Sequence, residues 1–254
     1  MNYYIITGTS KGLGESIAKK LISSDNYLFC ISRTRNGELT CEAERNNCPI
    51  EYLEYDLELL EGIDHIIEKI FKNIKPSEAN SICLINNAGV LDPIKPIGKC
   101  KSSDITSNMK INAIAPMVLS SQFISQTEKF ECKRVIVNIS SGAGKHPYFG
   151  WGCYCSSKAA IDMFTKCVGV EQVNKKNPVK IISFSPGIID TGMQNQIRQS
   201  RVEDFTQVEK FKKFKEDRVL KEPDFVAEKV IKLIEKKEVD SGTLLDIEKL
   251  VEKC

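Results

Sequence analysis

Tyr154 and Lys158 stand four residues apart in a segment of helical periodicity, so both side chains project from one helix face toward the same space. A free tyrosine titrates near pH ~10 and exchanges protons poorly at neutrality, but a neighbouring ammonium favours the phenolate and lowers that pKa. Such a pair can give a proton to an oxygen that gains charge, for example a carbonyl oxygen under attack at its carbon. Ser140 ends the β-rich run before this helix, and its hydroxyl can hold the same oxygen. Taken alone, a tyrosine and a lysine at this spacing also occur in ordinary helix packing, so the pair gains its meaning from its surroundings.

A second group of residues is suited to phosphate. Thr7-Gly8-Thr9-Ser10-Lys11-Gly12-Leu13-Gly14 follows the first apolar run and opens a helical segment. Glycine permits the tight turn and the close approach of backbone to a pyrophosphate, whose charge the helix N-terminus stabilises. After the second apolar run the chain reads Cys30-Ile31-Ser32-Arg33-Thr34, without the acidic residue that accepts hydrogen bonds from the ribose hydroxyls of NAD. Ser32 can bond a phosphate oxygen instead, Arg33 offers a planar cationic fork, and Lys11 can reach the same phosphate from the glycine turn. These residues favour NADP(H).

The elements that must hold these groups are short apolar runs alternating with longer helical segments. Strands are predicted at 3–7, 27–32, 50–55, 81–86, 134–140, 180–185 and 243–247, and helices at about 12–24, 62–74, 102–128, 154–175 and 223–237. This βαβ rhythm predicts one doubly wound α/β domain over 1–254, with a seven-stranded parallel sheet covered on both faces and ligands at the strand C-termini. Two stretches break the rhythm. Residues 36–48 are polar and read as a short helix or a loop, and 190–221 is long, charged and amphipathic, either a solvated helix pair or a substrate lid.

Composition narrows the possibilities. A hydrophobic fraction of 41%, a charged fraction of 28% and a net charge of +2 describe a globular chain without the basic field that nucleic acid demands. No secretory signal and no apolar run of about 18 residues is present, so a soluble, cytoplasmic protein with no membrane partner is expected. The ten cysteines fall without metal-knuckle or redox spacing and are expected to be reduced; with only two histidines, His65 and His146, no metal site is predicted.

The glycine spacing of the first turn, Asn86-Asn87-Ala88-Gly89, Ser140, Tyr154-x3-Lys158 and Pro186-Gly187 with Thr191 together resemble the short-chain dehydrogenase/reductase family, in order and over most of the chain. The resemblance implies hydride transfer from NADPH to a carbonyl carbon while Tyr154 protonates its oxygen, Ser140 orients it, and Lys158 assists. It implies that Asn112 positions a water against Lys158. It also implies that Asp56 and Leu57 flank the adenine, that Asn86, Ala88 and Gly89 line the cofactor, and that Pro186, Gly187, Ile188, Thr191 and Met193 border the nicotinamide.

The residues from Gly150 to Met163, and from Pro186 to Gln194, are similar to those of the sepiapterin- and benzil-reducing members of the family. That similarity implies a small-molecule vicinal dicarbonyl substrate near Trp151, and the likeness of the stretch Ser241 to Asp246 to the pterin-anchoring segment of the sepiapterin-reducing members implies that role for Asp246. A reductase of another ketone, such as a 3-oxoacyl thioester, and a non-catalytic NADP(H) sensor are the alternatives. Family members commonly pair through the helices at 102–128 and 154–175, so a homodimer is expected.

Arg33→Ala is expected to raise the Michaelis constant for NADPH by about tenfold or more, equivalent to ~1.4 kcal/mol, with little change for NADH. Comparable use of NADH and NADPH by the unaltered protein would contradict the assignment.

Overall fold

A computed structural model describes residues 1–236 and 238–251. Its strands are β1 (Asn2–Thr7), β2 (Asn26–Ser32), β3 (Ile50–Glu54), β4 (Ser81–Asn86), β5 (Lys133–Ile139), β6 (Lys180–Ser185) and β7 (Thr243–Asp246). They form one parallel sheet in the order β3-β2-β1-β4-β5-β6-β7. Side chains alternate across a strand, and here both faces are covered, so the strands are apolar almost throughout. In β1, Tyr4 and Ile6 join a core with Ile17, Phe184, Val226 and Val230, whereas Tyr3 and Ile5 join the opposite core with Ile67, Leu119, Phe123 and Val168.

The helices are α1 (Gly12–Lys20), α2 (Gly37–Arg45), α3 (Ile63–Lys72), α4 (Ser102–Met109), α5 (Ala115–Gln126), α6 (Gly152–Gln172), α7 (Gly192–Arg198), α8 (Val208–Glu216), α9 (Pro223–Glu235) and α10 (Ile247–Val251). None of those described is long and apolar enough to cross a membrane. The polar stretch at 36–48 contains α2. Asn36 caps it by accepting from the Leu39 amide at 3.0 Å, and its side-chain amide donates to the Ser10 carbonyl at 3.3 Å. The cap of one helix thus also holds the glycine turn.

The segment predicted as one helix over 102–128 is two. A wide π turn, Lys110–Ile114, separates α4 from α5. Pro116 supplies the reason: it has no amide for the carbonyl of Asn112, four residues earlier, and its ring crowds that carbonyl.

The strand order reverses between β1 and β4, and the chain leaves both at their C-terminal ends, opening a crevice there. Over that crevice lies the 190–221 excursion with α7 and α8. Its base is pinned because the Asp190 amide donates to the Lys221 carbonyl at 3.0 Å and the Lys221 amide to the Ile188 carbonyl at 2.9 Å.

Candidate active site

One cleft of about 970 Å³ gathers most of the predicted site residues. That volume is at the upper end for ligand pockets, which matches a dinucleotide with a small substrate beside it. Gly8, Ser10, Lys11, Gly12 and Leu13 line it from the first turn, Ser32, Arg33, Asp56 and Leu57 from the ends of β2 and β3, and Ala88 and Gly89 from the end of β4. Pro186, Gly187, Ile188, Thr191 and Met193 line it after β6.

Local backbone geometry explains the glycines. Gly8 and Gly12 have φ of 76° and 66°, the left-handed region in which a side chain is strained. A Cβ on Gly8 would also stand 2.9 Å from the Ala88 Cα, and one on Gly14 would collide with the Gly8 carbonyl. Gly14 therefore closes the turn from behind and does not line the cleft. Asn87 fastens the turn to β4, its side-chain amide donating to the Thr7 carbonyl at 2.9 Å and to the Gly8 carbonyl at 3.3 Å. Thr7 Oγ1 accepts from the Asn87 and Ala88 amides at 2.9 and 3.0 Å.

Asn86, expected at the cofactor, points the other way. It shares the face of Ile82 and Leu84, donates to Asn138 Oδ1 at 2.8 Å and to Ser120 Oγ at 3.2 Å, and has no place in the cleft lining. The next residue, Asn87, lines the cleft in its stead.

At the far end of this turn Lys11 and Arg33 are exposed and line the cleft, and among the described residues neither makes an ion pair. Ser32 is already engaged, its hydroxyl donating to the Thr34 carbonyl at 2.8 Å and lying 3.0 Å from the Tyr52 hydroxyl. The free cations and the narrow glycine cradle fit a phosphorylated dinucleotide.

Tyr154 and Lys158 are both buried on α6 and both line the cleft, with Lys158 Nζ 5.7 Å from the tyrosine ring centre and donating to the Ile139 carbonyl at 2.9 Å. Burial pushes the Lys158 ammonium down to about 8, against the charge of Asp162 on the next turn. Burial pushes the Tyr154 phenol up to about 12, and a hydrogen bond with Ser141 pulls it back. Asn112 sits in the π turn, accepting from the Val90 amide at 2.8 Å and donating to the Val90 carbonyl at 2.7 Å and to Ser157 Oγ at 3.2 Å. It does not line the cleft, and Asn112 Oδ1 and Lys158 Nζ both approach Gly89, standing 3.2 and 3.6 Å from where a Cβ on that glycine would be.

The hydroxyl beside the phenol thus belongs to Ser141, which sequence reasoning missed. Ser140 continues the β5 ladder, its amide donating to the Phe184 carbonyl at 2.8 Å, and its buried hydroxyl has no hydrogen-bond partner. Ser141 leaves the ladder and accepts from the Ala143 amide at 3.1 Å, capping the turn Gly142–Gly144. Both serines line the cleft. The missed signal was the second hydroxyl itself: a strand end shifted by one residue turns the opposite side chain toward the site.

The other end of the cleft is aromatic. Trp151 and Phe205 stack with ring centres 4.6 Å apart and planes 4° from parallel, and Phe211 meets Trp151 edge-on at 5.5 Å. Phe205, Val208 and Phe211 are buried against this cluster, so the 190–221 segment is docked by its apolar face. Asp246 does end β7, paired in register with Ser185, but Lys145 holds both its carboxylate oxygens, at 2.7 and 2.8 Å, and neither residue lines the cleft.

A doubly wound sheet with a glycine cradle at β1 and a buried tyrosine–lysine pair across the same crevice defines a nucleotide-dependent oxidoreductase. The family model described as short chain dehydrogenase matches residues 2–202. Benzil reductase ((S)-benzoin forming) of Bacillus cereus is 44% identical over 248 residues, covering 98% of this chain and 100% of that protein. Sepiapterin reductase of Xenopus laevis is 27% identical, covering 74% of each chain. The crystal structure of the KRED1-Pglu enzyme superposes with a TM-score of 0.82 at 24% identity, over 96% of this chain and all of that one. The chain belongs to the short-chain dehydrogenase family.

Ser141→Ala and Tyr154→Phe are each expected to lower turnover by about a hundredfold, while Ser140→Ala is expected to stay within about threefold of the unaltered protein. Steady-state kinetics on the three variants decide between the two serines, and a large loss confined to Ser140→Ala would reverse the assignment.

Proposed function

We propose that this chain is an NADPH-dependent carbonyl reductase that converts one carbonyl of an aromatic vicinal diketone to an alcohol. The observation that carries this reading is the cleft itself, in which Tyr154, Lys158 and Ser141 stand between a glycine cradle with two free cations and a wall formed by the aromatic rings of Tyr148, Trp151, Phe211 and Phe214. The likeness to a benzil reductase over the whole chain supports it.

In this reading Lys11 and Arg33 hold the phosphate that distinguishes NADPH, Asp56 and Leu57 bound the adenine, and the Pro186–Met193 stretch borders the nicotinamide. The bound cofactor supplies the hydride. Ser141 donates a hydrogen bond to the substrate oxygen and Tyr154 protonates it, on the side of the cleft where water is excluded by Trp151 and Phe211. Lys158 favours the phenolate that remains, and Asn112 holds a water through which that phenolate is reprotonated. The segment at 190–221 is a lid whose docking on Trp151 closes the substrate end.

A pterin is the second dicarbonyl substrate to weigh. Its recognition by Asp246 requires a carboxylate free to accept paired hydrogen bonds, and the bidentate contact from Lys145 opposes that. The aromatic wall and the occupied carboxylate favour the diketone. A thioester substrate has no comparable support.

The protein is proposed to work as a cytoplasmic homodimer. On α6 and the π turn, Met163, Val170, Val173 and Ile114 are large apolar side chains left exposed, which supports pairing through these elements. Light scattering at micromolar concentration is expected to give twice the monomer mass, and a monomer mass would refute the pairing.

The substrate assignment is tested by NADPH consumption with benzil, 1-phenyl-1,2-propanedione, sepiapterin and an acetoacetyl thioester. The aryl diketones are expected to have the highest kcat/KM, and Asp246→Asn to leave benzil turnover within about twofold. A higher kcat/KM for sepiapterin, lost selectively in Asp246→Asn by ~1–3 kcal/mol, would return the carboxylate to the substrate site.

A further inference from the structure

Asp162 is buried on α6, one turn beyond Lys158. Its Oδ1 accepts from the Ser183 hydroxyl of β6 at 2.5 Å, and its Oδ2 has no hydrogen-bond partner among the described residues. Among the described residues the carboxylate makes no ion pair. A carboxylate so placed is costly to bury, and a hydrophobic residue on this helix face would avoid that cost.

Its neighbours locate the field it exerts. The point where a Gly144 Cβ would stand is 2.9 Å from the Lys158 carbonyl carbon and 3.0 Å from Asp162 Oδ2. The unpartnered oxygen therefore lies beside the turn that Ser141 caps and near the backbone carbonyl of Lys158. Facing Lys158 Nζ are the Ile139 carbonyl from β5, the Tyr154 ring from its own helix and Asn112 from the π turn, with Gly89 beside them. None of these carries a charge at neutral pH. Facing Asp162 are Ser183 from β6 and Gly144 from the turn, with Lys158 and the exposed Lys166 one turn away on either side. Asp162 and Lys158 are thus two buried ionisable side chains one turn apart on the same helix.

We infer that Asp162 is a positioning residue for the reaction, whose fixed negative charge keeps the buried Lys158 side chain an ammonium at neutral pH and so keeps Tyr154 ready to release its proton. The inference rests on the roles of Tyr154 and Lys158 proposed above. Burial drives Lys158 down to about 8, and the Asp162 charge opposes that fall. The Ser183 hydroxyl donates to the carboxylate and fixes its direction. Lys158 acts while protonated, so activity is lost as pH rises through its pKa. Removing the anion lowers that pKa and brings the loss to lower pH.

Asp162→Asn keeps the shape and an acceptor for Ser183 and removes only the charge. In the cofactor-free protein carrying 13Cε-labelled lysine, with Lys158→Met identifying the resonance, the Lys158 midpoint is expected to fall by about one pH unit. The high-pH limb of kcat should move down with it, while turnover below about pH 6 stays within about threefold. Asp162→Glu should restore the midpoint, and Asp162→Ser, also uncharged, repeats the test should the asparagine variant not fold. An unmoved midpoint, or an equal loss of turnover at every pH, would overturn the inference and leave Asp162 a structural residue. Full turnover in Lys158→Met would instead bring down the assignment on which it rests.

Discussion

A parallel sheet buried on both faces has no free surface on which to place chemistry, so its polar work is confined to the strand ends. In this chain that constraint is tightened at β1 and β4, where the chain departs in opposite directions and the sheet cannot close its own edge. Asn87 spans the opening and ties the Thr7 and Gly8 carbonyls to the end of β4. Everything bound in the cleft depends on that fastening, because it sets the path of the glycine turn and with it the direction of α1. The inward path of Asn86 adds a second tie, through Asn138 and Thr165, between the sheet and α6. The helix that carries Tyr154 and Lys158 is therefore held to the same strands as the glycine cradle.

The energetic cost of this arrangement falls on α6. A lysine, a tyrosine and an aspartate are buried within three turns of one helix, and burial disfavours the charged forms of Lys158 and Tyr154. Lys158 is relieved by the Ile139 carbonyl and Tyr154 by Ser141, and Asp162 has Ser183. These partial compensations leave groups whose protonation is sensitive to a bound charge, which is the condition for proton transfer near neutrality. The π turn at Lys110–Ile114 belongs to the same device, since it delivers the Asn112 side chain to Val90 and Ser157.

At the opposite end, packing takes over from polarity. Trp151 precedes α6, and Phe205 and Phe211 come from the excursion after β6, so the aromatic cluster joins α6 to the segment above it. Gly150, at φ 82°, lets the two backbones approach, for a Cβ there would collide with the Asp204 carbonyl. Displacing the excursion would uncover Trp151, whose buried indole nitrogen has no hydrogen-bond partner. Aromatic contact and backbone proximity thus fix the substrate end more than any charge does.

Sequence alone determined the seven strands, the helices α1, α3, α6 and α9 between them, the glycine turn and the tyrosine–lysine pair, because each rests on local periodicity or on backbone freedom that neighbouring residues dictate. The cations Lys11 and Arg33 were legible for the same reason: each sits next to a strand end whose position periodicity had already set. What only the tertiary structure decided were matters of side-chain direction and distant partnership. Where β4 ends determines which of Asn86 and Asn87 faces the cleft, and a period of two makes an error of one residue an error of face. The contact of Lys145 with Asp246, 101 residues apart, and that of Asp162 with Ser183, 21 apart, exist because strands distant in sequence end side by side. No local pattern encodes such proximity; it follows from burying both faces of one sheet.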